Sequence, residues 1–524
     1  MDTKALRQKV LDLAIRGKLV PQDPSDEPAS VLLERIRQQK QQMVKEGKLK
    51  AKDIKNDTII FVGEDNLHYE KFTDGSVKCI EDDIPFELPK GWAWERLSNL
   101  ATFSGGKTPS TSRREYWDGE VLWVTSKDMK SKYITSSQLR LSVLGAEQMQ
   151  IYQPDTLLLV TRSGILRHTL PIAILKECAT VNQDLKAIVL YMPELAEYVY
   201  VCLKGIESQL LIKYTKSGTT VENVNFDEFQ KVLLPIAPFQ EIRKIIEATS
   251  EATIVVSSIE DEKAAMAEYI VKAKAKILDL AIRGQLVSQD PTDEPASVLL
   301  EQIRAEKEEL VQQGKIKRDK KESVIFRGED NSYYLRTGEL VESLEGWAFE
   351  DLPDSWSVCC LGDLCDYGNC TNVDTADIAD SAWMLDLEDI EKDSGVVLQK
   401  VRKAERNAAS TKHRFHKGQV LYSKLRPYLN KVVLADEDGY CTSEILPLEF
   451  ERNILPQYAR YYLMSPAFLR YANKCSYGVK MPRLGTADGK KAIISIPPFE
   501  EQKRIVLAIE LAFAQLGFIA ESLA

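Results

Sequence analysis

The chain lacks several features that would assign it to an enzyme class or to an oxidising compartment. Its nine cysteines include no pair at CxxC spacing, which is typical of a reducing compartment rather than a disulfide framework. It contains no GxxxxGK[ST] loop and no glycine-rich dinucleotide fingerprint, so we expect neither an ATP-driven motor nor a bound nucleotide cofactor. The start, Met1-Asp2-Thr3-Lys4, has no apolar signal-peptide core, and no run of eighteen apolar residues occurs. We therefore expect a cytoplasmic protein without a membrane segment.

The chain also lacks an overall positive charge. With 69 Lys and Arg against 79 Asp and Glu, its formal net charge is −10, which by itself argues against a nucleic-acid binder. The charge is unevenly distributed, however, because residues 400–431 hold ten Lys and Arg and a single acid, Glu405. Since a phosphate senses only charges within a Debye length of about 8–10 Å, this basic segment is a candidate nucleic-acid surface.

An internal repeat organises the 524 residues, which are too many for one core. Residues 11–36 and 278–303 are identical at 22 of 26 positions, at an offset of 267. A second pair, Leu234–Ile246 and Ile494–Val506, repeats at an offset of 260. Each member of this pair predicts a buried strand that ends at proline, followed by a helix with acidic residues in its first turn. The repeats predict that the helical parts of the chain are duplicated, and we call these repeated parts the frame.

The parts between the repeats differ in sequence, although both contain strand-like apolar runs and helical stretches, at Glu194–Leu211 in the first part and Leu455–Lys474 in the second. We therefore predict a mixed α/β (α+β) fold with two different globular heads separated by two long helical spacers. The predicted segments are an N-terminal helical segment at 1–46, an appended segment at 47–91, the first head at 92–235, a central helical spacer at 236–313, a second appended segment at 314–355, the second head at 356–495 and a distal helix at 496–524.

A long amphipathic run follows the first head and ends at Gly284. If residues 240–283 formed one unbroken helix, it would be about 66 Å long at 1.5 Å per residue. The second copy of this run stops at Ala524, and the chain begins with what that copy lacks. We expect the N-terminal helix to complete the distal spacer and close a pseudo-twofold ring; a tandem duplication with loose ends is the alternative. The predicted coiled-coil or partner-contact positions are Leu6, Val10, Leu13, Ile259, Met266, Ile270, Ile277 and Leu280.

Several short motifs occur in order on this frame. They are Trp94-Glu-Arg-Leu97 leading to Gly105-Gly-Lys-Thr-Pro109, Trp123-Val-Thr-Ser-Lys-Asp128, Ser217-Gly-Thr-Thr220 before Leu234-Pro235, Gly418-Gln-Val-Leu-Tyr-Ser-Lys-Leu-Arg-Pro-Tyr428, and Pro497-Pro-Phe-Glu-Glu-Gln502. Through these motifs the chain resembles, over essentially its whole length, the specificity subunit of type I restriction–modification enzymes. It departs from the pattern at Ile242, where the first copy lacks the glutamine found at Gln502, so we expect that helix start to be capped differently.

The resemblance implies a non-catalytic subunit with two target-recognition domains, each reading half of a split double-stranded DNA site. It implies that the spacers form an antiparallel coiled coil, which sets the half-site separation and docks two methyltransferase subunits, with restriction/translocase subunits joining them. S-adenosylmethionine, ATP and Mg²⁺ are then expected on the partner subunits and no cofactor on this chain. The role of segments 47–91 and 314–355 is left open. Two alternatives remain: a two-headed scaffold that binds protein, and a stand-alone restriction or methylating enzyme.

Sequence readout needs donors that reach base edges, supported by a larger number of phosphate contacts. A solvated charged face is the alternative for any single residue. The predicted DNA contacts of the first head are Lys107, Thr108, Arg113, Arg114 and Lys127, with Lys216, Ser217, Thr219 and Thr220 on a second loop. Those of the second head are Lys412, Arg414, Lys424, Arg426 and Lys431, with Tyr477, Lys480 and Arg483 on a later loop.

Two other patterns resemble catalytic or metal sites and are rejected. Ile496-Pro-Pro-Phe499 is similar to the loop that holds the target amine in adenine methyltransferases, but isoleucine replaces the polar first residue, so we expect no catalytic residue here. His413 and His416 have no Cys or acid close by in the sequence, and the cysteines at 359, 360, 365 and 370 lack paired spacing. We predict buried small residues and no bound metal.

Overall fold

The computed structural model of the chain describes residues 2–216, 221–314, 323–330, 332–344, 351–406 and 410–523. The chain divides into two compact units, Met1–Glu262 (unit 1) and Lys263–Ala524 (unit 2). Helices and sheets occur in both units, which confirms the mixed class. Each unit contains a helical segment, a three-stranded sheet and a head, in that order along the chain.

Unit 1 begins with helices α1 (Thr3–Ile15) and α2 (Ala29–Lys45). A three-stranded antiparallel sheet follows, built from Thr58–Val62, His68–Phe72 and Val77–Cys79, which we call hairpin sheet 1. The appended segment 47–91 therefore folds into a sheet that packs beside the head.

The first head starts and ends at one place, because its first strand, Ala93–Arg96, pairs antiparallel with its last strand, Leu233–Ile236. Between them lie two larger sheets, a small sheet, three one-turn helices and two longer helices, α3 (Ala196–Gly205) and α4 (Glu207–Tyr214). The strands of the five-stranded sheet are, in spatial order, Ala101–Gly105, Leu185–Leu190, Leu157–Val160, Ile172–Leu175 and Tyr133–Ile134. Those of the three-stranded sheet are Ala179–Val181, Trp117–Val124 and Leu139–Leu141. The small sheet consists of Arg162–Ser163, Glu222–Val224 and Thr215–Lys216.

The helical stretch predicted at Glu194–Leu211 is split after Gly205, where α3 ends and a close contact with α1 occurs. A Cβ atom at Gly205 would lie 2.9 Å from the Ile15 Cγ2 atom, so only glycine lets the helices approach this closely. The Gln8 Nε2 atom donates to the Gly205 carbonyl at 2.8 Å. The N-terminal helix is thus packed within unit 1.

The long helix α5 (Phe239–Ile282) is continuous over 44 residues, so the helical run at 240–283 is unbroken. It ends just before Gly284, whose φ is +67°, a left-handed helix end that favours glycine. A Cβ atom there would lie 2.5 Å from the Pro353 Cγ atom, and Gly17 meets Pro89 at the same distance. The boundary between the two units falls inside this helix.

The predicted seam positions on the spacers are buried to different extents. Of the spacer residues, Val256 and Leu278 are buried although neither was predicted. In unit 1, α1 packs on α5 through Arg7, which donates to Glu260 at 2.7 Å and to Ser257 at 2.9 Å. The antiparallel coiled coil and the closed pseudo-twofold arrangement remain predictions. Among the predicted positions, Ile270 is buried, Val10, Leu13, Ile259, Ile277 and Leu280 are half-buried, and Leu6 and Met266 are exposed.

Unit 2 has the same order of elements. Helix α6 (Ala296–Gln312) precedes a second three-stranded antiparallel sheet, hairpin sheet 2, built from Ser323–Arg327, Tyr333–Thr337 and Leu340–Ser343. The first and last strands of the second head, Ser357–Cys360 and Ile493–Ile496, pair antiparallel. Between them, the strands of a five-stranded sheet are, in spatial order, Thr371–Val373, Lys412–Phe415, Gly439–Thr442, Trp383–Leu385 and Val401–Arg402. Those of a three-stranded sheet are Val432–Leu434, Val420–Ser423 and Ile445–Leu448. Ser476–Tyr477 and Arg483–Leu484 form a hairpin.

The remaining long helices of unit 2 are α7 (Pro456–Leu463), α8 (Pro466–Cys475) and α9 (Phe499–Leu523). The predicted stretch Leu455–Lys474 is two helices, because Pro466 cannot donate a backbone hydrogen bond inside a helix. Among the described helices, α9 is long and apolar enough to cross a membrane by length and composition alone. Its residues Ile505 and Ile509 are nevertheless buried in the core of unit 2, and Phe513 packs edge-on against Tyr461.

A tryptophan and a glutamate form the same buried contact in both units. The Trp92 indole donates to Glu241 at 3.0 Å, and the Trp356 indole donates to Glu501 at 3.1 Å. Burial raises the pKa of both carboxyl groups. In each unit, this hydrogen bond connects the residue just before the first strand of the head to the helix that follows its last strand. The two ends of the head are therefore held together.

The helix starts at Ile242 and Gln502 differ, as the sequence indicated. The buried Gln502 amide accepts from the Leu455 backbone at 2.8 Å and donates to the Pro497 carbonyl at 3.2 Å. Ile242 is buried and belongs to the hydrophobic core of unit 1. Apolar packing in unit 1 thus takes the place of a hydrogen-bonded glutamine in unit 2.

A buried polar cluster lies where hairpin sheet 1 meets the head. The Lys40 ammonium group is 2.6 Å from Asp57. Arg96 donates to Glu70 of the sheet at 2.8 Å. The Glu95 carboxylate accepts from the Asn99 amide at 2.6 Å. Burial raises the pKa of Glu95 to about 7, although hydrogen bonds from Asn99 and the Arg96 backbone, together with the cations Arg37 and Lys40, oppose the shift.

We predict that Glu95 makes the stability of unit 1 depend on pH. Because the folded-state pKa lies above the ordinary value of 4.5, the folded state holds the proton more tightly, and stability is lost as pH rises from about 4.5 to 7. Glu95→Gln removes this dependence, so from pH 5 to pH 8 the unfolding free energy should shift in favour of the variant by about 2–3 kcal/mol. Urea unfolding at both values measures this. Exposed Glu87→Gln is the control, and parallel pH profiles for Glu95→Gln and wild type would contradict the prediction.

Candidate nucleic-acid interface

The loop that carries Lys107 and Thr108 is held against the turn at residues 181–184. The Lys107 backbone donates to the Val181 carbonyl at 3.0 Å, and the Thr108 hydroxyl donates to the Gln183 side chain. A Cβ atom on Gly106 would lie 2.1 Å from the Val181 oxygen, so this approach requires glycine. The side chains of Lys107 and Gln183 are both exposed, and the loop that carries Lys107 lies next to the turn that carries Gln183.

Lys127 lies on the loop that follows the strand Trp117–Val124, and that strand ends at the same turn. The Asn182 backbone donates to the Val124 carbonyl at 3.0 Å. Within the loop, the Thr125 backbone donates to Asp128 at 2.8 Å, which holds its shape. Exposed Lys127 therefore comes from a second loop that meets the first at residues 181–184.

The small sheet adds a third group of donors. Lys216 lies directly opposite Asn223, and Asn223 lies directly opposite Arg162. Because paired residues share a face of a sheet, these three exposed side chains form one row. The Thr161 backbone donates to the Asp184 carbonyl at 2.9 Å, so the row adjoins the turn at 181–184. We call the whole set loop surface 1: Lys107, Thr108, Lys127, Arg162, Gln183, Lys216 and Asn223.

Sequence reasoning missed Arg162, Gln183 and Asn223 because none stands in a basic or Gly-rich stretch. The predicted Ser217, Thr219 and Thr220 lie outside the described residues. Arg113 and Arg114 are exposed further along the Lys107 loop, where the Arg113 guanidinium donates to the Tyr116 hydroxyl at 2.9 Å.

In the second head, three distant segments meet at Arg426. Its backbone donates to the Pro482 carbonyl at 2.7 Å. The Lys424 backbone donates to the Glu444 carbonyl at 3.0 Å. Tyr477 lies opposite Arg483 in the last hairpin. We call this set loop surface 2: Lys424, Arg426, Tyr477, Lys480 and Arg483.

Arg426 has an unusual conformation within loop surface 2. Its φ is +50°, which costs about 1–3 kcal/mol for a residue with a side chain. Its Nε atom is buried without a hydrogen-bond partner. The Arg483 guanidinium, by contrast, is held by Glu444 at 2.8 Å. Tyr477 and Lys480 are exposed on the hairpin, so this surface offers an aromatic ring and an exposed cation beside an arginine with a strained backbone.

Much of the basic segment at 400–431 faces acids inside the head. Arg406 donates to buried Asp389 at 2.7 and 2.8 Å. The structure contradicts the predicted contact at Lys412, which is buried 3.5 Å from Asp386. Half-buried Lys431 remains a prediction, and its ammonium donates to the Leu387 carbonyl at 2.6 Å. Burial lowers the pKa of Lys431. Arg414 remains exposed.

Most residues of the rejected metal patterns lie in the core, whereas His416 is exposed beside Asp438. Cys359, Cys360 and Cys365 are buried, Cys370 is half-buried, and the His413 ring contacts the Ile445 carbonyl at 2.9 Å. Burial raises the pKa of Cys365 to about 12, so its thiol stays protonated. Within the described part of the chain, no three His, Cys, Asp or Glu side chains are grouped as metal ligands would be.

Comparison with known proteins agrees with the duplicated frame. Curated relatives include the specificity subunits of two Escherichia coli enzymes, type I restriction enzyme EcoAI, 26% identical over 401 residues, and type I restriction enzyme EcoEI, 27% identical over 418 residues. Each alignment covers 66% of this chain but less than two thirds of the relative, 64% and 63%.

A solved chain from a study of complex assembly and conformational transition of the type I R-M system has a similar fold. Its TM-score is 0.51 at 16% identity, covering 84% of this chain and 94% of that one. The family model for the type I restriction modification DNA specificity domain matches residues 89–264 and 353–515, once in each unit. The chain therefore belongs to the type I restriction–modification specificity-subunit family, with one specificity domain in each half.

Proposed function

We propose that the chain is the non-catalytic DNA-reading subunit of a type I restriction–modification complex and binds a split double-stranded site. The observation that carries the proposal is loop surface 1, where Arg162, Gln183 and Asn223 lie exposed beside predicted lysines. Arginine pairs with guanine edges and amides pair with adenine edges. Loop surface 2 has different side chains, as a head that reads a different half-site requires.

The partners in this proposal are two methyltransferase subunits, with restriction/translocase subunits joining them. S-adenosylmethionine, ATP and Mg²⁺ act on those subunits and no cofactor binds this chain. The complex is cytoplasmic and the helical spacers set the separation of the half-sites. The family match and the relatives named as specificity subunits support this assignment. A two-headed scaffold that binds protein is the alternative.

We predict that Arg162 of loop surface 1 contacts a base and that Lys480 of loop surface 2 contacts a phosphate. Arg162→Ala should weaken binding at one half-site by about 5- to 150-fold, the effect of losing a base contact. Lys480→Ala should weaken binding to all sequences alike and reduce the salt dependence by one phosphate. The measurement is selection from a random duplex library by the complex with its methyltransferase subunits, followed by binding titrations at several salt concentrations.

Lys231→Ala is the matched control, since this exposed lysine pairs with Glu228 at 2.8 Å outside both loop surfaces and should leave binding unchanged. If the wild-type complex enriches no split motif, the DNA-reading proposal fails and the scaffold alternative gains support. If the purified chain alone methylates or cleaves DNA, the non-catalytic assignment fails.

A further inference from the structure

The outer face of hairpin sheet 1 is apolar and exposed to solvent. Cross-strand pairs place Phe61 opposite Tyr69, Ile59 opposite Lys71, and Lys71 opposite Val77. Paired residues share a face, so these five side chains form one surface. Phe61 is 41% exposed and Val77 is 52% exposed. The opposite face carries buried Thr58 and Glu70, which anchor the sheet to unit 1.

Hairpin sheet 2 presents the same surface in unit 2. Phe326 lies opposite Tyr334, Val324 opposite Arg336, and Arg336 opposite Val341. Phe326 is 36% exposed and Val341 is 51% exposed. Both sheets thus expose a β-branched residue, a phenylalanine, a tyrosine, a cation and a valine at matching positions.

The aromatic pair has the same geometry in the two sheets. Phe61 and Tyr69 stack at 5.8 Å and 26°, and Phe326 and Tyr334 stack at 5.8 Å and 25°. Each tyrosine hydroxyl donates at 2.7 Å to an aspartate in the preceding turn, Asp65 or Asp330. The rings are therefore held in place before any partner arrives, which lowers the entropy cost of binding.

The inner faces match only in part, because Ile60 corresponds to Ile325 but the anchoring residue of hairpin sheet 1 differs in hairpin sheet 2. Glu70, bound to Arg96 in unit 1, corresponds to Leu335, which packs on the hydrophobic core of unit 2. The anchoring contact at this position thus differs between the two units, whereas the five outer positions have matching chemistry. Exposed apolar faces of this kind mark interaction sites, and two equal faces on one chain fit two copies of one partner.

The local charge favours protein over nucleic acid as that partner. Segments 47–91 and 314–355 each contain seven Lys and Arg against ten Asp and Glu, a balance that repels phosphate. The single cation in each face, Lys71 or Arg336, sits among apolar side chains. It fits one carboxylate at the centre of an apolar protein surface.

We infer that the outer faces of the two hairpin sheets are equivalent docking sites for two copies of one protein subunit. Each subunit contributes an apolar patch with a carboxylate opposite Lys71 or Arg336. This inference rests on the proposed function, in which the subunit present twice is the methyltransferase. It assigns a role to the two appended segments.

The test measures how many methyltransferase subunits bind the full chain, by native mass spectrometry and titration. Wild type should bind two. Phe61→Asp and Phe326→Asp should each weaken one of the two binding events by at least about 30-fold, as losing a central aromatic contact does, and the double variant should weaken both. Lys71→Glu and Arg336→Glu should do the same through charge. Leu398→Asp, at an exposed apolar residue outside the sheets, is the matched control and should bind two.

Circular dichroism and unfolding midpoints establish that each variant is folded. Two tightly bound subunits on the folded double variant would overturn the inference and leave the proposed function intact. Retained subunits with lost DNA binding, or a self-associated wild-type chain that the double variant makes monomeric, would also overturn it. A wild-type chain that binds no methyltransferase subunit would instead overturn the proposed function itself.

Discussion

Replacing Trp92 by alanine is expected to lower the free energy of unfolding of unit 1 by about 3–5 kcal/mol, the usual cost of removing a buried tryptophan. The indole is buried and its Nε1 atom donates to Glu241 at 3.0 Å. One Glu241 oxygen is already buried without a partner, so the variant leaves the whole carboxylate unsatisfied, at a further cost of about 1–3 kcal/mol. Trp356→Ala should cost unit 2 less, because the Gln289 amide still donates to Glu501 at 2.6 Å.

Urea unfolding combined with hydrogen exchange measures this loss and assigns it to one unit. A double-mutant cycle with Trp92→Phe, which removes the donor, and Glu241→Leu, which removes the acceptor, isolates the hydrogen bond, and we expect the two changes to be coupled by about 1–3 kcal/mol. Trp92→Phe keeps a large ring in the cavity and serves as the control for packing. Strictly additive effects would show that the hydrogen bond contributes nothing to the closure of the head.

Inserting four helical residues after Ala264 is expected to abolish modification of the original target and to create a target with a longer gap and unchanged half-sites. Four residues add about 6 Å and nearly one full turn to α5, so its faces keep their phase. A gap lengthened by about 6 Å corresponds to at most about two base pairs at 3.4 Å each. Sequencing of methylated bases in a host that carries the variant measures the new site.

An insertion of two residues at the same place is the control, because it rotates the following helix by about half a turn. That variant should lose modification altogether. A changed half-site sequence in the four-residue variant would contradict the prediction, since it would mean that the spacer influences base reading within a head.

The frame could be predicted from the sequence because its signals are local. Twenty-two identities in 26 positions identify the repeat, and apolar residues at helical spacing identify α5 within one residue at each end. Proline and glycine mark where these helices stop. The breaks after Gly205 and before Pro466 were missed, although the second is a proline whose effect on a helix is known.

The DNA contacts were harder to predict because charge was counted along the chain rather than in space. Only Glu405 lies within the basic segment, yet Asp386 and Asp389 come to it from an earlier turn and bind Lys412 and Arg406. Lys412 and Arg406 therefore form ion pairs within the head rather than an exposed basic surface. In the first head, Arg162 and Asn223 are far apart in sequence and meet only by strand pairing.

The sequence by itself determined that this is a duplicated chain with two heads on helical spacers, because repeats and helical periodicity depend only on neighbouring residues. Only the tertiary structure decided which side chains reach solvent together. Pairing of remote strands brings the donors of loop surface 1 into one place, and it sorts each hairpin sheet into an anchored face and an open one. Exposure is a property of packing, so the matched outer faces at Phe61 and Phe326 became visible only in the folded chain.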